Sequence, residues 1–267
     1  MSLLGQLFKA RDTKAEAIKE YNLGLASKYR GEWEKSLLHN QLASELNDGD
    51  EATWWNLAIA ATALSHWEEA RRAWAKCGIE FDADSGEPLW HPCTSCVRLN
   101  PNETGEVVWG SRIDPARIKI LNVPLPSSKR RYGDILIHDG AQEGTRTSRG
   151  NEYPVFNELG VWKCSAHSTF EVELVVPTAT ALDSLTERCR QNDMWVEDWG
   201  TVRSLCAECS RGNPAEHSCT VEETGQNKFG FAAKSENGLR KVLRDWIEVE
   251  DGATIGNVRL VVSGVCD

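Results

Sequence analysis

Long apolar runs are absent from this 267-residue chain. No eighteen consecutive residues are apolar, so the sequence contains no candidate transmembrane helix. Residues 1–8 have no basic stretch ahead of a long apolar segment and make a poor signal peptide. We therefore expect a cytoplasmic protein that has no membrane partner.

Positive charge is also in short supply. Lys and Arg total 30 against 40 Asp and Glu, which gives a formal net charge of −10. A nucleic-acid-binding protein would show a basic footprint, so we expect no nucleic-acid partner. An acidic surface suits a basic protein partner, although many cytoplasmic proteins are mildly acidic without such a role.

The sequence motifs of common active sites are missing. No G-x-S-x-G, H-E-x-x-H or Walker loop occurs. Cys164, Ser165 and His167 lie close in sequence, but catalytic groups meet in space rather than along the chain. A turn capped by Ser165 or Ser168 explains the same residues. We therefore predict that the protein is not an enzyme.

Two segments near the start repeat at a fixed interval. Tyr21-Asn22-Leu23 recurs as Trp55-Asn56-Leu57, and Trp33-Glu34 recurs as Trp67-Glu68, each 34 residues later (56 − 22 = 34). This period is typical of stacked helix-turn-helix units that bind other proteins. We predict helices over residues 17–30, 32–46, 51–64 and 67–77, in a helical domain of residues 1–80.

The repeat is the expected partner-binding surface. Trp54, Leu57, Ala58 and Ala61 follow the spacing of one buried helical face. Trp54 and Trp55 point about 100° apart on one helix, so both cannot lie on that face, and one can anchor a partner. The predicted partner-binding set is Tyr21, Asn22, Trp54, Trp55 and Asn56.

The middle of the chain changes from helical to extended patterns after an acidic linker over residues 82–92. Short strands are predicted at residues 107–109, 118–121, 134–138 and 153–156, separated by Pro and Gly. Asp139-Gly140 is predicted as a turn and residues 145–151 as an exposed loop. This spacing predicts a small β-barrel or curled sheet in residues 81–163.

The last third, residues 164–267, follows the order β-α-β, interruption, β-α-β. The predicted strands are residues 169–176, 194–205, 229–233 and 258–262, and the helices are 180–192 and 238–247. This order is that of the ferredoxin-like split unit. The predicted fold class is therefore α+β, with helical hairpins, a barrel-like region and a ferredoxin-like domain.

A candidate zinc site lies in the interruption, over residues 206–219. Nine cysteines in a chain that is not secreted favour metal sites or free thiols over disulfides. Cys206, Cys209, His217 and Cys219 can complete tetrahedral coordination, and four protein ligands imply a structural zinc. Because His217 and Cys219 are only two residues apart, Cys93 and Cys96, beside His91, are an alternative second pair. Unliganded thiols are the third interpretation.

Two resemblances follow from these residues. Residues 15–79 resemble tetratricopeptide repeats at Asn22-Leu-Gly, Trp55-Asn-Leu-Ala and Trp67-Glu-Glu-Ala70, with Ser65 where the first repeat has its turn glycine, Gly31. Val108-Trp109, Asn122-Val-Pro124, Tyr132-Gly-Asp134 and Ala166-His167-Ser-Thr169 are similar to a bacterial domain family of unknown function that pairs a small barrel with a ferredoxin-like unit.

The whole chain resembles uncharacterised bacterial tetratricopeptide-repeat proteins, some of which accompany secreted polymorphic toxins as immunity proteins. The resemblance implies an immunity protein that binds and neutralises a basic cognate toxin domain. Acidic loops at residues 45–51 or 248–251 would mimic a nucleic-acid backbone if that toxin is a nuclease. The alternatives are an adaptor or regulatory scaffold for host proteins, and an enzyme that uses Cys164 or His167.

Overall fold

The computed structural model describes residues 3–83, 85–103, 105–201 and 227–265, with only the backbone described for residues 3–12. Helices and two β-sheets make an α+β protein, as predicted. The chain divides into two compact units. The first contains the described residues up to Pro92 together with Ile113–Arg117, and the second contains the others. The three predicted domains, 1–80, 81–163 and 164–267, stay predictions.

Four helices form the first unit: α1 (Leu3–Tyr29), α2 (Trp33–Leu46), α3 (Glu51–Ala63) and α4 (Trp67–Lys76). All four were predicted, although α1 begins well before residue 17. The turns between paired helices are equivalent. Gly31 has φ of 68°, and Ser65, 34 residues later, has φ of 60°. The second hairpin therefore places a serine in a left-handed conformation that favours glycine.

Helices α1 and α2 cross at Gly24. A Cβ at this position would lie 2.6 Å from Nδ2 of the buried Asn40. Asn40 Nδ2 donates to the Ser36 carbonyl at 2.7 Å, and Ser36 Oγ donates to the Gly24 carbonyl at 3.0 Å. Thirty-four residues later the equivalent positions are Ala58, Trp74 and Ala70, all fully buried. The first hairpin therefore packs through a polar network and the second through apolar side chains.

Helix α3 is enclosed on all sides. The four residues predicted as its buried face are buried, but so are Thr53, Asn56, Ile59, Ala60 and Thr62. A single buried stripe was therefore too narrow a prediction. The reason is position, because α3 packs against α2 and α4 and also approaches α1.

The predicted linker and a distant segment complete the first unit around Arg117. This side chain is fully buried, and its guanidinium lies 4.9 Å from the Trp67 ring centroid. Its Nε donates to Asp114 Oδ2 and its Nη1 to Glu87 Oε1, both at 2.5 Å. Trp90 N donates to the Ile113 carbonyl at 2.7 Å. Paired carboxylates thus compensate the cost of burying this charge.

The second unit begins with a closed barrel of five strands: β1 (Cys93–Arg98), β2 (Val107–Arg112), β3 (Arg117–Ile120), β4 (Ile135–Ser148) and β5 (Asn151–Lys163). The barrel strands are neighbours in chain order. Because successive strands alternate in direction and their number is odd, the last strand runs parallel to the first. Accordingly β1 and β5 pair in parallel, with Val97 opposite Phe156. Its core consists of Val97, Leu99, Val108, Ile118, Ile120 and Leu136.

Two turn predictions in this region are wrong. Residues 145–151 are not a loop, because β4 runs to Ser148 and β5 starts at Asn151. The two-residue turn between them has positive φ at both positions, 50° at Arg149 and 79° at Gly150, as the twist of a hairpin favours. Asp139-Gly140 is not a turn, because both residues lie within β4. The chain does not reverse there, and only the register of the pairing with β5 becomes irregular.

The rest of the second unit is a four-stranded antiparallel sheet with the strand order β7-β8-β6-β9. Its strands are β6 (Ser168–Val175), β7 (Trp195–Asp198), β8 (Lys228–Ala233) and β9 (Thr254–Val262), and its helices are α5 (Ala179–Gln191) and α6 (Glu236–Ile247). The helices pack on one core with the sheet, through residues that include Leu185, Leu243 and Trp246. The predicted strand 194–205 is too long, since a 3₁₀ turn starts at Trp199.

A second, smaller core joins this sheet to the barrel. Trp199 is almost fully buried, and a Cβ on Gly230 of β8 would overlap its ring. Trp199 Nε1 donates to the Val123 carbonyl at 2.9 Å. Val123, Leu125 and Ala232 pack around the indole. The barrel and the sheet therefore share a hydrophobic core within the second unit.

Two carboxyl groups lie beside this core. Both Glu106 oxygens accept from Leu125 N at 3.2 Å, and both Glu197 oxygens accept from Asn122 Nδ2 at 3.0 Å. Burial, with a smaller effect of the Glu197 charge, raises the pKa of Glu106 to about 7. Burial also raises the pKa of Glu197. As pH rises, the folded protein therefore keeps the protons of Glu106 and Glu197 at pH values where an unfolded chain would already have released them.

We predict that Ser65→Gly stabilises the protein. Glycine adopts the left-handed conformation of this turn without the steric cost that serine incurs, so the free energy of unfolding should rise by about 1 kcal/mol. Gly31→Ser is the matched reverse change, because a Cβ at Gly31 would meet no atom within 4 Å. It should destabilise by a similar amount in urea unfolding. Equal stability of all three proteins would contradict the prediction.

We predict that Glu106→Gln changes the pH dependence of stability. The folded protein holds the Glu106 proton to about pH 7, whereas a glutamate without this environment releases it near 4.5. The free energy of unfolding of the wild type should therefore fall as pH rises through this window. The glutamine amide of the variant accepts the Leu125 hydrogen bond without carrying a charge.

Glu106→Gln should match the wild type near pH 4 and exceed its stability by about 1–2 kcal/mol near pH 8. Urea unfolding at a series of pH values measures this difference. Glu103→Gln, in the exposed turn before it, is the control. A constant difference between Glu106→Gln and the wild type across the series would disprove the role of this carboxyl.

Candidate partner-binding site

A pocket of about 440 Å³ opens beside three helices of the first unit. Residues from α2, α3 and α4, and from the loop after α2, line it: Gln41, Ser44, Glu45, Asp48, Trp54, Glu69 and Arg72. Three of the seven are carboxylates and one is aromatic. The stacking of the second hairpin on the first brings these residues together.

Trp54 forms the buried wall of this pocket. Only 3% of its surface is exposed, and its Nε1 donates to the Asp48 carbonyl at 2.8 Å. The guanidinium carbon of Arg72 and Nζ of Lys76 lie 5.0 Å and 5.2 Å from the indole ring. These are distances at which cations are attracted to an aromatic face. The indole is therefore held rigidly and already attracts cations.

The charges around Trp54 form linked pairs. Arg72 donates to Glu69 Oε1 at 2.6 Å and to Oε2 at 3.1 Å, and this bonding lowers the pKa of Glu69. Lys76 Nζ donates to Asp48 Oδ1 at 2.8 Å. Hydrogen bonding to Glu69, with smaller effects of Asp48 and Glu45, raises the pKa of Arg72. The charged groups around Trp54 are the carboxylates of Glu45, Asp48 and Glu69 and the cations of Arg72 and Lys76. Together they give the pocket a net charge of −1.

The chemistry of this pocket suits a cationic side chain. An arginine or lysine from another molecule would find carboxylates at the rim and an indole face beside them. Arg72 and Lys76 are about half exposed, at 51% and 43%, so a cation from a partner would compete with them for the carboxylates and the indole. The pocket is therefore a candidate binding site for a basic side chain of a partner protein.

The structure separates the predicted partner-binding residues. Only Trp54 lines the pocket. Asn56 is buried, and its Oδ1 accepts from Lys28 Nζ at 3.0 Å. Trp55 is half-buried and meets the Trp74 ring edge-on at 5.0 Å. Tyr21 is half-buried on α1. Asn56 and Trp55 therefore serve the packing of the repeat.

Asn22 lies in an exposed stripe on α1, which is a second feature of this unit. The stripe repeats at helical spacing through the exposed Ile18, Asn22 and Tyr29 and the half-buried Leu25. Ile18 is 53% exposed and Tyr29 is 61% exposed. This face therefore offers apolar contact area near the predicted Asn22.

The sequence analysis missed Glu69, Arg72 and Gln41. The sequence does contain charged pairs at i, i+3 spacing that could have drawn attention to them. Glu45 and Asp48 form one pair at the end of α2 and in the following loop, and Glu69 and Arg72 form the other on α4. Such pairs usually mark a solvated face. Only the packing of the two hairpins turns them toward Trp54.

The predicted zinc ligands Cys206, Cys209, His217 and Cys219 lie outside the described residues. Within the described part of the chain, no three His, Cys, Asp or Glu side chains are grouped to hold a metal. The alternative pair is placed, since Cys93 and Cys96 lie in β1. Three residues apart on a strand, their side chains are on opposite faces of the sheet. This geometry does not suit shared coordination.

The cysteine chemistry differs from the prediction at one position. Cys77, Cys93, Cys96 and Cys189 are free thiols, but Cys164 is disulfide-bonded. Burial raises the pKa of Cys189 to about 12 and those of Cys77 and Cys96 to about 11. The preference for metal sites or free thiols over disulfides is therefore wrong at Cys164, and that sulfur is not available as a nucleophilic thiol.

Ser165 and His167 form a local turn, as predicted. Ser165 Oγ accepts from His167 N at 3.1 Å and lies 3.0 Å from His167 Nδ1. His167 Nε2 lies 2.9 Å from the Asp193 carbonyl, and Tyr132 packs edge-on against the imidazole. These contacts cap the turn before β6 and orient the ring.

No family model matches the chain, and no curated protein matches it. A solved structure described as a novel crystal structure of a hypothetical protein from Neisseria gonorrhoeae is similar at 12% identity, over 66% of this chain and 99% of that chain. Its TM-score is 0.29, so the likeness carries no argument about fold or function. Of the helices described, none has the length and apolarity needed to cross a membrane.

Proposed function

We propose that this chain is a non-enzymatic protein-binding protein whose helical unit takes a basic side chain of its partner into the Trp54 pocket. The observation that carries this proposal is the pocket itself, which combines a rigid indole with three carboxylates. The chain's net charge of −10 adds long-range attraction for a basic partner. The specific form we propose is an immunity protein that neutralises a cognate bacterial toxin by direct binding.

We interpret the pairs α1–α2 and α3–α4 as tetratricopeptide-type hairpins. Their equivalent positions are 34 residues apart in sequence and have equivalent roles, as the small residues Gly24 and Ala58 and the left-handed turn residues Gly31 and Ser65 illustrate. We interpret the four-stranded sheet as ferredoxin-like, because its strand order and its two helices match the split βαβ arrangement. On this interpretation the second unit is a scaffold.

Neutralisation requires only that binding exclude the toxin from its substrate. A basic toxin surface would approach the acidic helical unit, and one cationic side chain would anchor it in a desolvated pocket. Neighbouring contacts on the exposed α1 stripe would add apolar area. No chemical step on the part of this chain is needed.

The test is binding and protection with the product of the neighbouring gene. Co-expression of this chain should protect cells from that product, and the two should co-purify in a fixed ratio. Capture of several unrelated host proteins instead would support the adaptor alternative. Failure to protect, with no partner captured, would refute both forms of the proposal.

The pocket is tested by Asp48→Asn with Glu69→Gln. These changes turn its net charge from −1 to +1 without removing the indole. Affinity for the partner should fall about tenfold or more, which corresponds to about 1.4 kcal/mol. Calorimetry or surface plasmon resonance measures the loss.

Asp183→Asn with Asp245→Asn is the matched control, since it makes the same change in net charge at exposed positions of α5 and α6 in the second unit. Its affinity should stay within about twofold of the wild type. Equal losses in both variants would show that only overall charge matters and that the pocket does not bind the partner.

We also propose that Cys206, Cys209, His217 and Cys219 hold a structural zinc, as their spacing predicts. Protein purified under reducing conditions without chelator should contain one zinc per chain by elemental analysis. Cys206→Ser should lower that content, whereas Cys93→Ser should not. A zinc content well below one per chain in the wild type would disprove the site.

A further inference from the structure

The outer face of α2 carries two exposed leucines flanked by opposite charges. Leu38 is 52% exposed and Leu42 is 39% exposed. The side chain of Lys35 is 66% exposed, and Glu45 is exposed as well. At 100° per residue the four positions fall within an arc of about 80°. They form a single stripe, which we call the α2 stripe.

The inner faces of α2 are already occupied. Ser36 and Asn40 bond within the crossing with α1, and Leu37 and Ser44 are buried. Gln41 Nε2 donates to Glu69 of α4 at 3.2 Å. Lys35, Leu38 and Leu42 point away from these contacts, whereas Glu45 lies at the rim of the Trp54 pocket. The packing of the first unit therefore does not explain the two exposed leucines.

The order of residues in the α2 stripe is symmetric about position 40. Lys35 and Glu45 lie five residues to either side of it, and Leu38 and Leu42 lie two residues to either side. If two copies of α2 pair antiparallel about a two-fold axis at this position, Leu38 faces Leu42 of the second copy. Lys35 then faces Glu45 of the second copy, and each of these contacts occurs twice.

A parallel pairing of the same helices would be unfavourable. Lys35 would face Lys35 and Glu45 would face Glu45, so like charges would meet at both ends. The charge order therefore selects the antiparallel, self-complementary arrangement that a two-fold dimer requires. Leucines between flanking charges also follow the pattern by which paired helices fix their orientation.

We propose that the α2 stripe is a self-association surface, and that its occupant is the α2 stripe of a second copy of this chain. A single helix pair covers less area than the roughly 800 Å² per partner of a standard interface, so the dimer is weak and reversible. In the monomer Lys35 Nζ lies 3.2 Å from Glu32. An exposed pair of this kind is exchanged at little cost. Glu45 also lines the Trp54 pocket, whereas Lys35, Leu38 and Leu42 do not, so Lys35→Glu and Leu38→Ser test self-association without changing that pocket.

Sedimentation equilibrium of the full chain at low ionic strength, from about 10 µM to about 1 mM, tests the proposal. The wild type should show a reversible monomer–dimer equilibrium. Lys35→Glu places two like-charged pairs in the dimer and should weaken association about tenfold or more, as should Glu45→Lys. The double change Lys35→Glu with Glu45→Lys recreates both pairs in reverse and should restore association to within about threefold.

Lys19→Glu is the control, because it makes the same charge change on an exposed residue of α1 and should leave association unchanged. Leu38→Ser should abolish association while circular dichroism confirms that the helices remain. A wild type that is monomeric throughout would overturn the proposal. So would a doubly changed protein that associates no better than the single variants.

Discussion

The packing of Trp199 against Gly230 is the constraint on which the second unit depends. One face of the four-stranded sheet packs against α5 and α6, and the apolar residues of the opposite face must also be shielded from water. The indole of Trp199 supplies part of it, because β8 has no side chain at Gly230. The same indole donates its N–H to the Val123 carbonyl after the barrel strand β3. One aromatic ring therefore completes a core and joins two sheets.

The elements with local signals were predictable. The 34-residue interval located four helices, and Pro and Gly placed most of the strands. The β4–β5 hairpin was not, because its polar residues 145–151 have the composition of a loop. They form strands because residues 145–148 pair with residues 151–154 across a tight turn at Arg149 and Gly150. The burial of Asn56 has a similar cause, since its partner Lys28 lies 28 residues away on another helix.

The sequence indicated only part of the candidate site. Adjacent tryptophans on a helix cannot share one buried face, so either Trp54 or Trp55 was a possible anchor, and the structure places Trp54 in the pocket wall. The carboxylates around it come from α4 and from the end of α2, and no spacing within either segment indicates that they converge. Convergence is a property of how hairpins stack, which a single sequence does not reveal. The disulfide at Cys164 was missed because the cysteine count and the expectation that the chain is not secreted together favoured metal sites or free thiols.

The short segment Ile113–Arg117 has a consequence for how this protein is made and divided. It follows β2 along the chain and ends at Arg117, the first residue of β3, yet it belongs to the helical unit, where Arg117 is buried against Trp67 and Glu87. During synthesis all four helices leave the ribosome before this arginine does. The helical unit must therefore wait for the first two barrel strands before its last buried charge is in place. A fragment that ends at Pro92 would retain all four helices of the helical unit, and that unit would still be incomplete.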